Sequence, residues 1–298
     1  MQITLRQLEI FTSICRERTV TAAARKIGLS QAATSQALAE LENLLQRKLF
    51  DRHGRRITLN PTGRQLVPAA VQILDRVRDL EAAGTENTAS VFAIASLTVG
   101  NYILPEIITR FARSHPNYQF HVGIGNTDQV VEALLRFETD VGWIEGLAQH
   151  SDLASFRWKR DELVVVARSD HPLAGRKASP DDLASASWVL REKGSGTRAV
   201  FEHAIAGRFR PARIPIEMGG IEAVKRAVLA GAGLGCISQF AIASELKAGR
   251  LKRVRTDWLD LRRYITVLLH REKYLDSGLR IFLRFCGIEI QSLEKTNT

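Results

Sequence analysis

Two groups of residues in this sequence have the types and spacing to recognise a charged partner. The first lies between Ser30 and Arg56. Ser30, Gln31, Thr34, Ser35 and Gln36, with the small Ala32 among them, put hydroxyls and amides on the opening turns of a helix. Leu38, Leu41 and Leu45 follow at helical spacing for burial. Side chains of this kind hydrogen-bond the edges of bases in a major groove. Arg52, Arg55 and Arg56 crowd one turn at Gly54 with no acidic run beside them. Planar guanidinium forks suit phosphate oxygens and a narrow minor groove.

The second group is a set of hydroxyls before helices. Ser96, Thr98 and Asn101 follow an apolar stretch, and Gly194, Ser195, Gly196, Thr197 and Arg198 follow another. Hydroxyls and free backbone N–H groups at a helix N-terminus favour an anion, and glycines let the backbone come close. Loops of this composition are also ordinary turns; the two segments at equivalent places in the chain are what point to a ligand. Glu145 ends a third apolar stretch, Val141–Ile144, and is expected to face the same place. A carboxylate beside an anion repels it unless a proton is shared, so either Glu145 is protonated with ligand bound or the ligand brings the proton. A solvated Glu145, or one paired with a basic residue such as Arg198, is the alternative.

Covalent chemistry finds no support. No nucleophile has a paired base, and no G-x-S-x-G elbow is present, so no catalytic residue is assigned. The histidines form no ligand spacing, and no metal or cofactor is implied. Cys15, Cys236 and Cys286 are scattered in apolar contexts, and the last two lack basic residues arranged to stabilise a thiolate. Thiol-based redox sensing and an enzyme on a two-lobed scaffold are therefore the lesser alternatives. A nonspecific nucleoid protein is a third, and needs no ligand cleft. Residues 1–65 hold eleven Lys/Arg against five Asp/Glu, +6 of the formal +10 of the whole chain. Basicity is concentrated where the base-reading helix lies, as double-stranded DNA would require. No apolar run is long enough to span a bilayer, and the N-terminus enters a helix instead of a signal peptide. A soluble, cytoplasmic protein is expected.

The elements that must position these groups can be read in order. A helix runs from about Leu5 to Arg16. A short helix containing Ala22, Ala23 and Ala24 turns at Gly28 into the Ser30 helix. Leu49-Phe50 and Ile57-Thr58-Leu59 flank the arginine turn as two short strands. From Pro61 a long helix reaches about Ala83, with Leu66, Ala70, Ile73, Val77 and Leu80 at alternating spacings of four and three, the pattern of a dimer seam. Residues 84–90 read as a polar linker. Beyond it, two successions of strand, helix, strand, helix and strand, from Phe92 and from Trp188, imply two α/β lobes. The connections at Glu162–Ala167 and Tyr264–Leu269 would cross between them, and a last helix near Ser277–Cys286 would return to the first lobe. The expected division is 1–63, 64–90 and 91–298, with lobe I at 91–163 and 267–298 and lobe II at 164–266.

The segments LRQLEIF, AARKIGLSQAATSQALAELENLL and KLFDRHGRRITLNPTG together resemble the winged helix–turn–helix of LysR-type transcriptional regulators, and the likeness continues along the chain. Ala32 stands where that family usually has Pro, and Gln36 where it often has Arg. The resemblance implies a periplasmic-binding-protein-like effector domain, a small-molecule effector in the cleft, and a homotetramer built from dimers. LREKGSGTR, GNYILPEI and VGWIEG resemble the branch of the family that senses small sulfur oxyanions such as sulfite. Gly220-Ile221 departs from that branch's Asn-Ser, and Leu97 from its Ser. A hydrogen-sulfite-like anion would satisfy Glu145, whereas sulfate and phosphate dianions would fit poorly.

Overall fold

Capping residues set the N-terminal elements. The structure is a computed structural model that describes residues 2–53, 56–82, 89–146, 148 and 150–288, with the side chains of residues 52, 53, 56 and 82 outside the description. Thr4 and Gln7 form a reciprocal capping box on α1 (Leu5–Glu17). Thr19 caps α2 (Val20–Lys26), accepting from the Ala22 N–H. Gly28 turns the chain at φ +69°, and Ser30 caps α3 (Gln31–Leu45) by accepting from the Ala33 N–H at 3.1 Å. Leu8, Phe11, Ile14, Ala23, Leu38 and Leu41 are buried together. β1 (Phe50–His53) and β2 (Arg56–Leu59) pair antiparallel, with Phe50 opposite Leu59.

The long helix α4 (Pro61–Ala82) begins hard against this hairpin. A Cβ at Gly63 would lie 2.2 Å from the Leu49 carbonyl oxygen, so glycine alone fits. Of the five residues expected on its seam, Ile73 and Leu80 are exposed, at 46 % and 76 %, and Leu66 and Val77 are half-buried. Ala70 departs from the expectation. It is buried with Val67 and Val71 in the N-terminal core, because that side of α4 packs on α1.

A nine-stranded sheet follows. Its first part comprises β3 (Ala89–Ser96), α5 (Leu97–Tyr102), α6 (Leu104–Ser114), β4 (Tyr118–Gly125), α7 (Thr127–Leu135) and β5 (Val141–Glu145). β3 pairs in parallel with both β4 and β5. Then comes β6 (Leu153–Arg168), and after it α8 (Pro180–Ser185), β7 (Ser187–Arg191), α9 (Gly196–Ile205), β8 (Arg213–Met218), α10 (Ile221–Leu229) and β9 (Leu234–Ser238). β7 pairs in parallel with β8 and β9. The chain ends with α11 (Gln239–Lys247), β10 (Leu251–Arg253), β11 (Arg262–His270) and α12 (Ser277–Phe285). β5 and β9 are buried along their whole length, as strands of a covered parallel sheet must be.

Two lobes share this sheet. Trp143 lies in the core of the first with Phe282 of α12, and Trp188 in that of the second with Phe201. β6 and β11 run antiparallel through both, with Arg263 opposite Asp161. β6 passes to β9 from Leu163 onward, and β11 lies against β5 from Ile265. Ile265 and Thr266, expected in lobe II, therefore sit beside β5 in lobe I. The expected connection at Glu162–Ala167 is the second half of a sixteen-residue strand.

The N-terminal unit and lobe I meet through charge. Lys273 is buried between Asp75 of α4 at 2.5 Å and Asp140 at 2.9 Å. Burial opposes its charge, but the Asp140 and Asp75 carboxylates override this and hold the ammonium above its ordinary range. Arg18 donates twice to Glu138, at 2.8 and 2.9 Å. Asp79 accepts from the Tyr274 hydroxyl at 2.8 Å and the Ser277 N–H at 2.7 Å. Phe137, at φ 54°, enters the N-terminal core and packs against His270 with the rings tilted at 44° and their centroids 4.1 Å apart.

The burial of His270 predicts a pH response. Burial pushes His270 down to about 4 from 6.5. As pH falls below 6.5 the unfolded chain takes up this proton before the folded one, so stability is lost between pH 6.5 and 4. With partial exposure discounted, the loss is about 2–3 kcal/mol. Urea unfolding at pH 7.5 and 4.5 should show a smaller acid loss for His270→Phe than for wild type. Equal losses would exclude His270 as the responsible group.

Candidate functional site

The helical period of α3 sorts its polar residues. Ser30, Gln31, Ala32 and Gln36 are exposed and Ser35 is half-buried, giving one face at the helix's leading end. Thr34 departs from the expectation: it is fully buried, and its hydroxyl donates to the Ser30 carbonyl at 3.0 Å. It shares the inner face with Leu38 and Leu41, which removes it from any outside partner. The Gln36 amide donates to Glu40 at 3.0 Å, so the outward amide is already oriented. Ala33 is a further exposed residue of these turns that its type gave no reason to single out. Arg55 and the side chains of Arg52 and Arg56 lie outside the described residues; the strands that carry Arg52 and Arg56 form the hairpin above.

Between the lobes, residues far apart in sequence come together. The Arg263 guanidinium, buried on β11, donates to the Thr197 hydroxyl at 3.1 Å and to the Thr98 hydroxyl at 3.5 Å. It pairs with Asp161 at 2.6 Å, and the Glu145 carboxylate stands 4.0 Å away. Asp161 also accepts from the Ser238 hydroxyl and the Glu162 N–H, each at 2.8 Å. Ser96, at the head of α5, is buried with its hydroxyl unpartnered. Ser195 heads α9 and makes no side-chain cap.

Arg263 thus brings Thr98, Thr197 and Glu145 together, while Ser96 and Ser195 stand two residues before the two threonines, at the heads of α5 and α9. Asn101 is not among them: Leu97–Tyr102 is a helical turn instead of an open loop, and it leaves Asn101 on the solvent side. Arg198 is not the partner of Glu145, since it pairs with Glu202 at 2.6 Å and donates to the Arg191 carbonyl at 3.1 Å. Gly194 and Gly196 do permit close approach, but to lobe I. A Cβ at Gly194 would lie 2.4 Å from Asp128 Oδ2, and one at Gly196 2.5 Å from the Glu145 carbonyl oxygen. Beside this contact a cleft of about 1200 Å³ opens, lined by Glu145, Ser195 and Arg263 together with Thr127 and Lys193. Thr127, whose hydroxyl is also buried and unpartnered, carried no signal beyond the neighbouring Asn126 cap.

Burial leaves the thiols unreactive. It pushes Cys15 up, and Cys236 and Cys286 up to about 12, against a thiol-sensing role. Among the described residues no His, Cys, Asp and Glu group is arranged to hold a metal ion, and no helix is long and apolar enough to cross a membrane.

A winged helical reader joined to a two-lobed cleft defines a DNA-binding protein that answers to a ligand. Residues 5–64 match the family described as bacterial regulatory helix-turn-helix protein, lysR family, and residues 86–289 match the LysR substrate binding domain. The chain belongs to the LysR family of transcriptional regulators, a family of DNA-binding proteins and not of enzymes. The HTH-type transcriptional regulator YeiE of Escherichia coli is 38 % identical over 286 residues, which cover 96 % of this chain and 98 % of that one. CysL of Bacillus subtilis is 32 % identical over 244 residues, 80 % of this chain and 82 % of its own. Full-length OxyR from Pseudomonas aeruginosa shares the fold, with TM-score 0.77 at 19 % identity over 96 % of this chain and 95 % of that one.

Proposed function

We propose that this regulator is switched by a small protonated oxyanion, hydrogen sulfite or a close analogue, held between Ser96, Thr98 and Thr197 with Ser195 and Gly194 closing the site. One observation carries the reading. The Thr98 and Thr197 hydroxyls, contributed by different lobes, meet at Arg263 beside the buried carboxylate of Glu145, and the Ser96 hydroxyl at the head of the Thr98 helix is buried without a partner. An unpartnered buried hydroxyl costs about 1–3 kcal/mol, which a ligand oxygen would recover. Glu145 would accept the ligand's proton and disfavour dianions.

Gln31, Ser35 and Gln36, set by Ser30 and Ala32, read base edges in this proposal, while Arg52, Arg55 and Arg56 hold phosphate. Leu66, Ile73 and Leu80 fall one heptad apart on α4, and the exposure of the last two supports pairing of two copies along this helix. Two such dimers make the proposed homotetramer.

Sulfite at 100 times its Kd should stabilise the protein by about 2.7 kcal/mol, seen as a rise in Tm, and sulfate at the same concentration should not. Thr98→Ala and Thr197→Ala should each abolish the rise. An undiminished rise in both variants would remove these hydroxyls from the site.

A further inference from the structure

We infer that Arg263 sets the specificity of the cleft: it biases Thr98 and Thr197 to donate toward the ligand, and it is shared between Asp161 and Glu145. The inference rests on the small oxyanion proposed above and concerns a residue that no local motif marks.

A hydroxyl carries one hydrogen to donate and accepts at its oxygen. Arg263 occupies one of the two lone pairs on each threonine oxygen, at 3.1 and 3.5 Å, and its positive charge turns each O–H away from it. Among the described residues, neither hydroxyl donates to a protein acceptor, so both hydrogens are free to turn to a third group. Ser96, two residues before Thr98 at the head of the same helix, adds a buried hydroxyl without a partner. Donors from protein to ligand select an acceptor, which an oxyanion is.

Charge then sets how much anion is admitted. Arg263 is matched by Asp161, which is itself fixed by Ser238 and the Glu162 N–H. Glu145, at 4.0 Å and buried, has no second cation within ion-pair distance among the described residues. The trio Arg263, Asp161 and Glu145 therefore carries one net negative charge. A dianion would add two more beside the Glu145 carboxylate, whereas a monoanion bearing a proton can donate it to Glu145.

Arginine's shape is also used. One guanidinium nitrogen reaches a lobe I hydroxyl, another a lobe II hydroxyl, and Nε reaches Asp161. Lysine keeps the charge but has one nitrogen and cannot span these three oxygens. Arg263 is a positioning residue, acting through the hydroxyls it orients.

The test uses the full chain, with sulfite and sulfate titrated by calorimetry into wild type, Arg263→Lys, Glu145→Gln and the neutral double variant Asp161→Asn with Arg263→Gln. Wild type should prefer sulfite. Arg263→Lys should weaken sulfite about tenfold or more, the worth of one lost charged hydrogen bond. Glu145→Gln should narrow the preference for sulfite over sulfate by about tenfold. The double variant removes a matched charge pair, so it keeps the net charge and tests orientation should the lysine variant not fold; it too should weaken sulfite. Sulfite bound as tightly by Arg263→Lys as by wild type, with the preference intact, overturns the role of Arg263 and leaves the oxyanion proposal standing. No binding of either anion to wild type overturns that proposal and this one with it.

Discussion

Replacing Lys273 by Met should destabilise the folded protein by about 3–5 kcal/mol, the cost of leaving buried charge without its partner. Two carboxylates share this one ammonium, at 2.5 and 2.9 Å, and none of the three side chains reaches open water. Arg78 stays with Asp75 at 2.8 Å, but Arg16 lies 3.5 Å from Asp140 and makes a poor substitute. The same change made together with Asp75→Asn and Asp140→Asn should recover most of the loss, because the amides keep oxygens that can accept and carry no charge. Urea unfolding of the single and triple variants measures both. A loss under about 1 kcal/mol for Lys273→Met would mean that water solvates the cluster.

The second large effect concerns DNA. Changing Arg52, Arg55 and Arg56 together to Ala would remove up to six phosphate contacts from the proposed dimer. The slope of log affinity against log salt should become shallower by about 5 units, at about 0.9 per contact. Binding should weaken alike on a cognate site and on a scrambled one. Gln36→Ala should do the opposite, changing the ranking of sites with little change in slope. Fluorescence anisotropy across a salt series separates the two, and an unchanged slope in the triple variant would take the hairpin off the duplex.

What the sequence makes legible here is local. Thr4, Ser30 and Asn126 announce helix starts by their own cap chemistry, and β9 lies at Leu234–Ser238 as the apolar run predicts. The first half of β6 escapes such reading: Arg157, Lys159, Arg160 and Asp161 interrupt the apolar pattern although they lie in a strand, two of them stacking their charge on Tyr264. Arg263 escapes for another reason. Its partners Thr98, Asp161 and Thr197 lie 66 to 165 residues away, and no spacing rule links them. Thr34 is a matter of helical phase, since its type suits an outward role and its position does not.

One arrangement joins the two halves of the molecule. β5 and β11 are neighbours; Asp140 directly precedes β5 and Glu145 ends it, while Arg263 sits near the start of β11 and Lys273 just past its end. Asp140 and Glu145 are five strand residues apart, about 17 Å. In the proposed site, a ligand against Glu145 would press on one tip of a short, stiff strand whose other tip is fastened to α4 through Lys273. The proposed ligand site and the α4 attachment are one strand's length apart.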